Sequence, residues 1–337
     1  MKFKFIGNPS VQDYPFISEF IEGQTVTTFL FVEGRQEKTT KGGEPYLDLS
    51  LSDATGSIPG KVWANVLRGM DGASFDGAVK VQAVVEKYQD RPQLNVKKIR
   101  TVNASDREEG FAEDRLFKTS EFDAEEMFAR LLGFLDKVSE EPLREMMRRL
   151  LQEIRPALLV HPASRSLHHS YNGGLLEHTL SVVHTGVYFA EKFGLDLDIV
   201  TCGAILHDLA KVKEISSDPK KNYTLEGRLL GHVVMGRDLL REYASQFKGI
   251  KPETLVHLEH IILSHQGEME WAAPVVPKTP EAMAVHFADN VDAKMEMFRK
   301  TIREDSNREE DFQYHKILAR DIYKRGPSHL KGSYPFF

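Results

Sequence analysis

Residues 202–211 read CGAILHDLAK, an apolar run that ends on the pair His207-Asp208. A carboxylate between Leu206 and Leu209 needs a partner, because burying it unpaired costs several kcal/mol. The run therefore predicts a core-facing helix that delivers a charged pair to something that binds it. Outward from this point, further polar residues stand in similar settings. They are His178 in GGLLEHTLSVVHTG (173–186), His232 in EGRLLGHVVMG (226–236), His265 in IILSHQGE (261–268) and Asp289 in AVHFADNVDAK (284–294).

Helical periodicity places these residues on or at the ends of different helices, predicted over 174–193, 197–213, 225–245, 252–264 and 280–302. Helix bundles build metal sites in this way, from side chains on facing helices. Imidazole nitrogen with carboxylate oxygen suits Mn²⁺, Fe²⁺, Ni²⁺ or Zn²⁺, and one aspartate has two oxygens with which to bridge two ions. Any single helix histidine is more often packed or solvated than a ligand; the ordered set carries the expectation. His184 and His286 read as ordinary residues. His257 and His260 divide between packing and a role outside the ligand set.

Toward the N-terminus the helical pattern extends back to Asp123, with Met127, Phe128, Leu131, Leu132 and Leu135 at three- and four-residue steps. Ser139 with Pro142 resembles a helix start. Before that, residues 24–100 read as five short strands. YLDLSLSD (46–53) alternates strictly, Leu47, Leu49 and Leu51 against Asp48, Ser50 and Ser52, the period of a half-buried strand. ANVLRGM (64–70) is a short helix before the fourth strand, which favours an OB-type barrel. The expected organisation is an all-β barrel domain over 1–103, an acidic linker over 104–122, an all-α bundle over 123–305 and a tail over 306–337. The tail mixes Lys and Arg with Tyr and Phe, and its sequence does not choose between RNA contact, packing on the bundle and subunit contact.

The net charge of −6 is local: residues 104–126 hold nine acids against three bases. Charge thus neither vetoes a nucleic-acid partner nor argues for one. No apolar run approaches the ~20 residues needed to span a bilayer, and charge, Gly and Pro break the N-terminal stretch before a signal-peptide core forms. The one cysteine, Cys202, excludes an internal disulfide and fits a reducing cytoplasm.

The order His178, His207-Asp208, His232, His265, Asp289 resembles the HD-domain metal-dependent phosphohydrolases. HHSYNGGLLEHT (168–179), HDLAK (207–211) and the preceding OB-type domain resemble more specifically the YhaM-type 3′→5′ exoribonucleases. The resemblance implies His178, His207, Asp208 and Asp289 around one divalent ion. It implies His232 and His265, with Asp208 as bridge, around a second. One or two ions are expected, manganese first, with Fe²⁺, Ni²⁺, Co²⁺ or Zn²⁺ as alternatives. Gln266 stands where many relatives carry a second histidine, and a neutral amide is the poorer ligand; His260 is a candidate substitute. Lys211, one turn beyond His207, reads either as a phosphate contact or as an exposed helix-end lysine. His168, His169 and Tyr171 precede the first ligand helix, and a histidine among them would protonate the leaving oxygen or stack on a base. Gly173-Gly174 would permit close backbone approach there.

OB-type barrels bind single strands through basic grooves and stacking aromatics. Tyr46, Lys61, Trp63, Tyr88, Arg91 and Lys97 are the candidates here, with Phe29 and Phe31 assigned to the core. The expected activity is metal-dependent 3′→5′ cleavage of single-stranded RNA, with single-stranded DNA as a further substrate, releasing nucleoside 5′-monophosphates. No membrane partner is expected, and a homo-oligomer is compatible with the sequence. The alternatives are a phosphohydrolase of nucleotides or cyclic dinucleotides, a non-enzymatic nucleic-acid-binding regulator, and a di-iron oxygenase.

Overall fold

The computed structural model describes residues 14–68, 75–89, 91–164, 169–216, 222–303 and 310–325. They form two compact units, up to Thr119 and from Ser120 onward.

The first unit is a closed barrel of β1 (Thr25–Thr39), β2 (Pro45–Asp53), β3 (Gly56–Val62), β4 (Gly77–Tyr88) and β5 (Arg91–Thr101), in the order β1-β2-β3-β5-β4. A short helix, α1 (Ala64–Leu67), follows β3. The parallel β3–β5 pairing closes the barrel, giving the five-stranded OB-type arrangement. Alternation fills the interior: Leu47, Leu49 and Leu51 are buried with Val26, Leu30, Val81, Leu94 and Val96. Asp53 makes the β2–β3 turn, its Oδ1 accepting the backbone N–H of Thr55 at 2.7 Å and of Gly56 at 3.2 Å.

Phe29 and Phe31 are buried, but outside the barrel core. They pack with Tyr14, Phe111 and Leu116. The acidic stretch expected to link the domains supplies part of that cover. Asp106 is fully buried and takes two 2.6 Å hydrogen bonds from the Arg100 guanidinium. Composition marks such a stretch as solvated; here two of its acids, Asp106 and Glu109, find Arg100 of β5 and Lys80 of β4.

The second unit is helical. It comprises α2 (Ala124–Leu135), α3 (Glu141–Leu158), α4 (Gly174–Phe193), α5 (Leu197–Leu206), α6 (Lys211–Glu214), α7 (Leu225–Leu229), α8 (Gly231–Ala244), α9 (Pro252–Ser264) and α10 (Pro280–Arg303). One core joins Met127, Leu131, Met146, Leu150, Leu176, Val183, Ile205, Leu240, Ile262 and Val285. Two predicted helices are broken in the structure. The 197–213 helix turns after Leu206, so that His207-Asp208 sits in the turn, and the 225–245 helix is interrupted before Gly231, whose φ of +75° is left-handed. Ser139 is not the N-cap of α3: its N–H and hydroxyl, with the N–H of Glu140, donate to Asp198 instead. A hairpin, β6 (Phe312–His315) and β7 (Arg320–Tyr323), packs Leu318 and Ile322 on Met297 of α10. The described part of the tail therefore lies against the bundle.

Candidate metal centre

The apolar faces that build the bundle also converge its polar residues. His178 comes from α4, His207 and Asp208 from the turn after α5, His232 from the start of α8, His265 from the end of α9 and Asp289 from α10. His178 Nε2 lies 3.2 Å from His207 Nε2, 3.4 Å from Asp208 Oδ2 and 3.3 Å from Asp289 Oδ1. On the other side of the same carboxylate, Asp208 Oδ1 lies 3.3 Å from His232 Nε2 and 3.5 Å from His265 Nε2. The structure thus brings together the six residues singled out in the sequence: five form two triads that share Asp208, and Asp289 stands beside His178.

The outward ring nitrogens fix the chemistry of the inward ones. Nδ1–H of His178 donates to Asp292 Oδ2 at 2.7 Å, that of His207 to the Ala204 carbonyl at 2.7 Å, that of His265 to the Ile262 carbonyl at 2.8 Å and that of His232 to Glu214 Oε1 at 3.0 Å. Each ring therefore turns Nε2 inward, the nitrogen that carries the lone pair once the imidazole is neutral. Two such nitrogens at 3.2 Å repel unless a proton or a cation lies between them. Asp208 Oδ1 is buried with no hydrogen-bond partner, the sign of an acceptor waiting for an ion. These residues fit divalent metal.

The electrostatics agree. Burial works against a charge on His178, yet Asp208, Asp289 and Asp292 draw its pKa well above the usual imidazole range. Burial likewise opposes ionisation of Asp208, but the Lys211 ammonium and the histidines hold its carboxyl well below the usual range. Three carboxylates around one imidazole form a pocket that attracts positive charge.

Lys211 is buried rather than exposed at a helix end, and its Nζ donates to Asp208 Oδ2 at 2.5 Å. His169 is also buried. Its Nε2–H donates to Asp292 Oδ2 at 3.0 Å, and its Nδ1 lies 2.8 Å from the Tyr171 hydroxyl. It therefore stands behind His178, on the far side of Asp292. Its φ of +44° is left-handed, and a Cβ on Gly174 would come within 2.1 Å of its carbonyl oxygen. The close approach expected of Gly173-Gly174 is thus realised at Gly174. His168 lies outside the described residues. His260 does not join the two triads, and its Nε2 accepts the backbone N–H of Lys278 at 2.9 Å. Gln266 is at the site, its amide nitrogen 3.2 Å from His265 Nε2 and 3.4 Å from His232 Nε2.

Three residues were missed in the sequence. Asp292 supports both His178 and His169, and the hydroxyl of Ser181 donates to it; its position one helical turn after Asp289 was an available signal. Glu214 supports His232. His286, read as ordinary, donates from Nδ1 to the His265 carbonyl at 2.7 Å.

On the barrel, Tyr46 and Trp63 form a tilted ring pair with centroids 5.1 Å apart, and Lys61 Nζ lies 5.5 Å from the Tyr46 ring centroid. The parallel β3–β5 pairing ends at Val62–Val96, and Trp63 and Lys97 are the next residues of their chains. Tyr88 and Arg91 face each other across the β4–β5 end, six residues back along β5 from Lys97, so they do not join this patch. Tyr88 is exposed.

Residues 175–294 match the family model of the HD domain, a span that contains both triads and Asp292. The 3′-5′ exoribonuclease YhaM of Halalkalibacterium halodurans is 31% identical over 283 residues, covering 83% of this chain and 87% of its own length. That of Bacillus subtilis is 30% identical over 305 residues, covering 90% and 95%. That of Listeria monocytogenes is 30% identical over 288 residues, covering 85% and 90%. With this identity across nearly the full length of both chains, and an HD centre that follows an OB-type barrel in the sequence, the protein belongs to the YhaM family of 3′-5′ exoribonucleases.

Proposed function

We propose that this chain removes nucleotides from the 3′ end of single-stranded RNA, and of single-stranded DNA as a second substrate, releasing nucleoside 5′-monophosphates. The observation that carries the proposal is Asp208, one buried carboxylate that presents each of its two oxygens to a different pair of inward-facing imidazole nitrogens. Two divalent ions, manganese first, suit this donor set. When bound they supply an acidified water for attack on phosphorus and neutralise charge on the phosphate oxygens.

The protein's own residues then divide the remaining work. His178, His207 and Asp289 hold one side of the centre; His232 and His265, with Gln266 beside them, hold the other. Lys211 locks Asp208 in its bridging orientation, and its remaining N–H bonds are available to a phosphate oxygen. His169 holds Asp292, which in turn orients His178, and so acts as a positioning residue. On the barrel, Tyr46 and Trp63 stack bases while Lys61 and Lys97 attract phosphates, with Tyr88 and Arg91 as a separate contact. The buried Cys202 and the absence, among the described residues, of a helix long and apolar enough to cross a membrane agree with action in the cytoplasm.

The test is incubation of 5′-labelled single-stranded RNA with Mn²⁺ and the protein or its Asp208→Ala variant. A ladder shortening from the 3′ end, absent with the variant, is the expected result. Equal cleavage by the variant, or none with any divalent ion, would overturn the proposal.

A further inference from the structure

Just beyond Gln266, the chain leaves the metal centre through a tight turn. Gly267 has a φ of +87°, and a Cβ there would come within 2.0 Å of the His286 ring. The following 3-10 turn, Met269–Trp271, presents Met269 and Trp271 to solvent, 68% and 49% exposed. The Trp271 ring centroid is 6.3 Å from that of His286, the residue whose Nδ1–H donates to the His265 carbonyl. One imidazole thus separates an exposed indole from the backbone that carries two residues of the metal centre. Phe287, 51% exposed, has its ring 5.1 Å from His286 on the next residue of α10. Lys294 Nζ lies 5.5 Å from the Trp271 ring centroid.

Large exposed aromatic rings are costly to leave in water and are common where one face must receive a flat, apolar partner. A cation beside such a ring adds a phosphate contact. That pairing of stacking surface and positive charge is how single strands are held without regard to sequence. Placed beside the metal centre, it would grip the strand close to the bond being cut. We propose that Trp271, with Phe287 and Lys294, is a nucleobase-stacking platform for the 3′-terminal part of the RNA strand, an inference that rests on the exoribonuclease reading above.

The chain has two tryptophans, Trp63 on the barrel and Trp271 here, so each can be made the sole reporter. In metal-stripped protein, where the strand is not consumed, Trp63→Phe leaves Trp271 emission and Trp271→Phe leaves Trp63 emission. A short oligoadenylate with a free 3′-hydroxyl should cause a saturable loss of emission in both variants. Loss at Trp63 with none at Trp271 would overturn the platform and leave the RNA reading standing. No loss at either would overturn both. Trp271 emission that changes with protein concentration instead of RNA would assign the face to a second copy and overturn the proposal. With metal present, Trp271→Ala should raise KM for the oligonucleotide roughly tenfold, with Trp271→Phe restoring most of the affinity; an unchanged KM in Trp271→Ala would equally overturn it.

Discussion

Glu214 holds His232 twice through one oxygen: its Oε1 accepts the backbone N–H of His232 at 3.0 Å and the ring Nδ1–H at 3.0 Å. The carboxylate sits at the beginning of α8, where unpaired helix N–H groups favour a negative charge. Burial opposes its ionisation, yet His232 keeps its pKa below the usual range. The same group therefore fixes the ring's tautomer, its rotation and the start of the helix that bears it.

Glu214→Ala should consequently weaken metal binding at the His232–His265 side, by about 10- to 100-fold as is usual for residues that support a ligand. Binding at the His178–His207 side should change little. Equilibrium titration with Mn²⁺, counting bound ions per chain, reads both steps. Two unaltered affinities in the variant would show that Glu214 only caps the helix.

Gln266 should make the same side the weaker one in the natural protein. Its amide donates toward the lone pairs of His265 and His232, and an entering ion must displace or turn it. Gln266→His supplies an imidazole nitrogen in its place. The titration should then show two dissociation constants drawn closer together, with the tighter one unmoved. A wild-type protein that already binds two ions equally tightly would contradict this account.

How far the sequence carried depended on which residues had local signatures. Leu47, Leu49 and Leu51 alternate as the barrel wall requires, and the apolar steps of each helix placed His178, His207, His232, His265 and Asp289 on facing elements. Those patterns are periodic, so they are visible in one dimension. Glu214 and Asp292 are acids whose partners come from other helices; Asp292 is marked only by its place one turn after Asp289, and Glu214 by nothing that separates it from a solvated residue. Asp106 was hidden differently: eight other acids within 104–126 made it look like linker, while its guanidinium partner stands at the end of a strand. His260 misled because a helix histidine near a metal motif has the right chemistry; only the loop carrying Lys278 shows that its nitrogen is already engaged.

Asp106 should also shape the acid stability of the barrel. The Arg100 guanidinium beside it holds its carboxyl at about 2, against an ordinary 3.8. A folded-state pKa depressed below the unfolded one contributes stability that is complete above the unfolded value. That contribution is lost as pH falls from about 4 toward 2. For this shift it amounts to about 2 kcal/mol. Asp106→Asn should therefore lower the urea midpoint reported by Trp63 at neutral pH, with the gap to wild type closing as pH falls through that window. A gap independent of pH would locate the effect in packing rather than in the ion pair.

Asp48 should restrain RNA binding by the barrel. Its two oxygens accept from Lys38 Nζ at 2.5 Å and Lys61 Nζ at 2.6 Å, the same Lys61 that lies beside Tyr46. Burial works against the charge, but these two lysines hold the Asp48 carboxyl below its usual range. A strand phosphate approaching Tyr46 and Trp63 must therefore compete with an anion already seated between the two cations. Asp48→Asn removes that competitor while keeping the side chain's shape. It should tighten binding of single-stranded RNA in metal-stripped protein at low salt. The slope of log affinity against log salt should also steepen, by up to about 0.7 for each additional phosphate neutralised. Fluorescence titration at several salt concentrations measures both quantities. If affinity falls instead, Asp48 orients Lys61 for phosphate rather than occupying its place, and the Tyr46–Trp63 face needs the carboxylate to work.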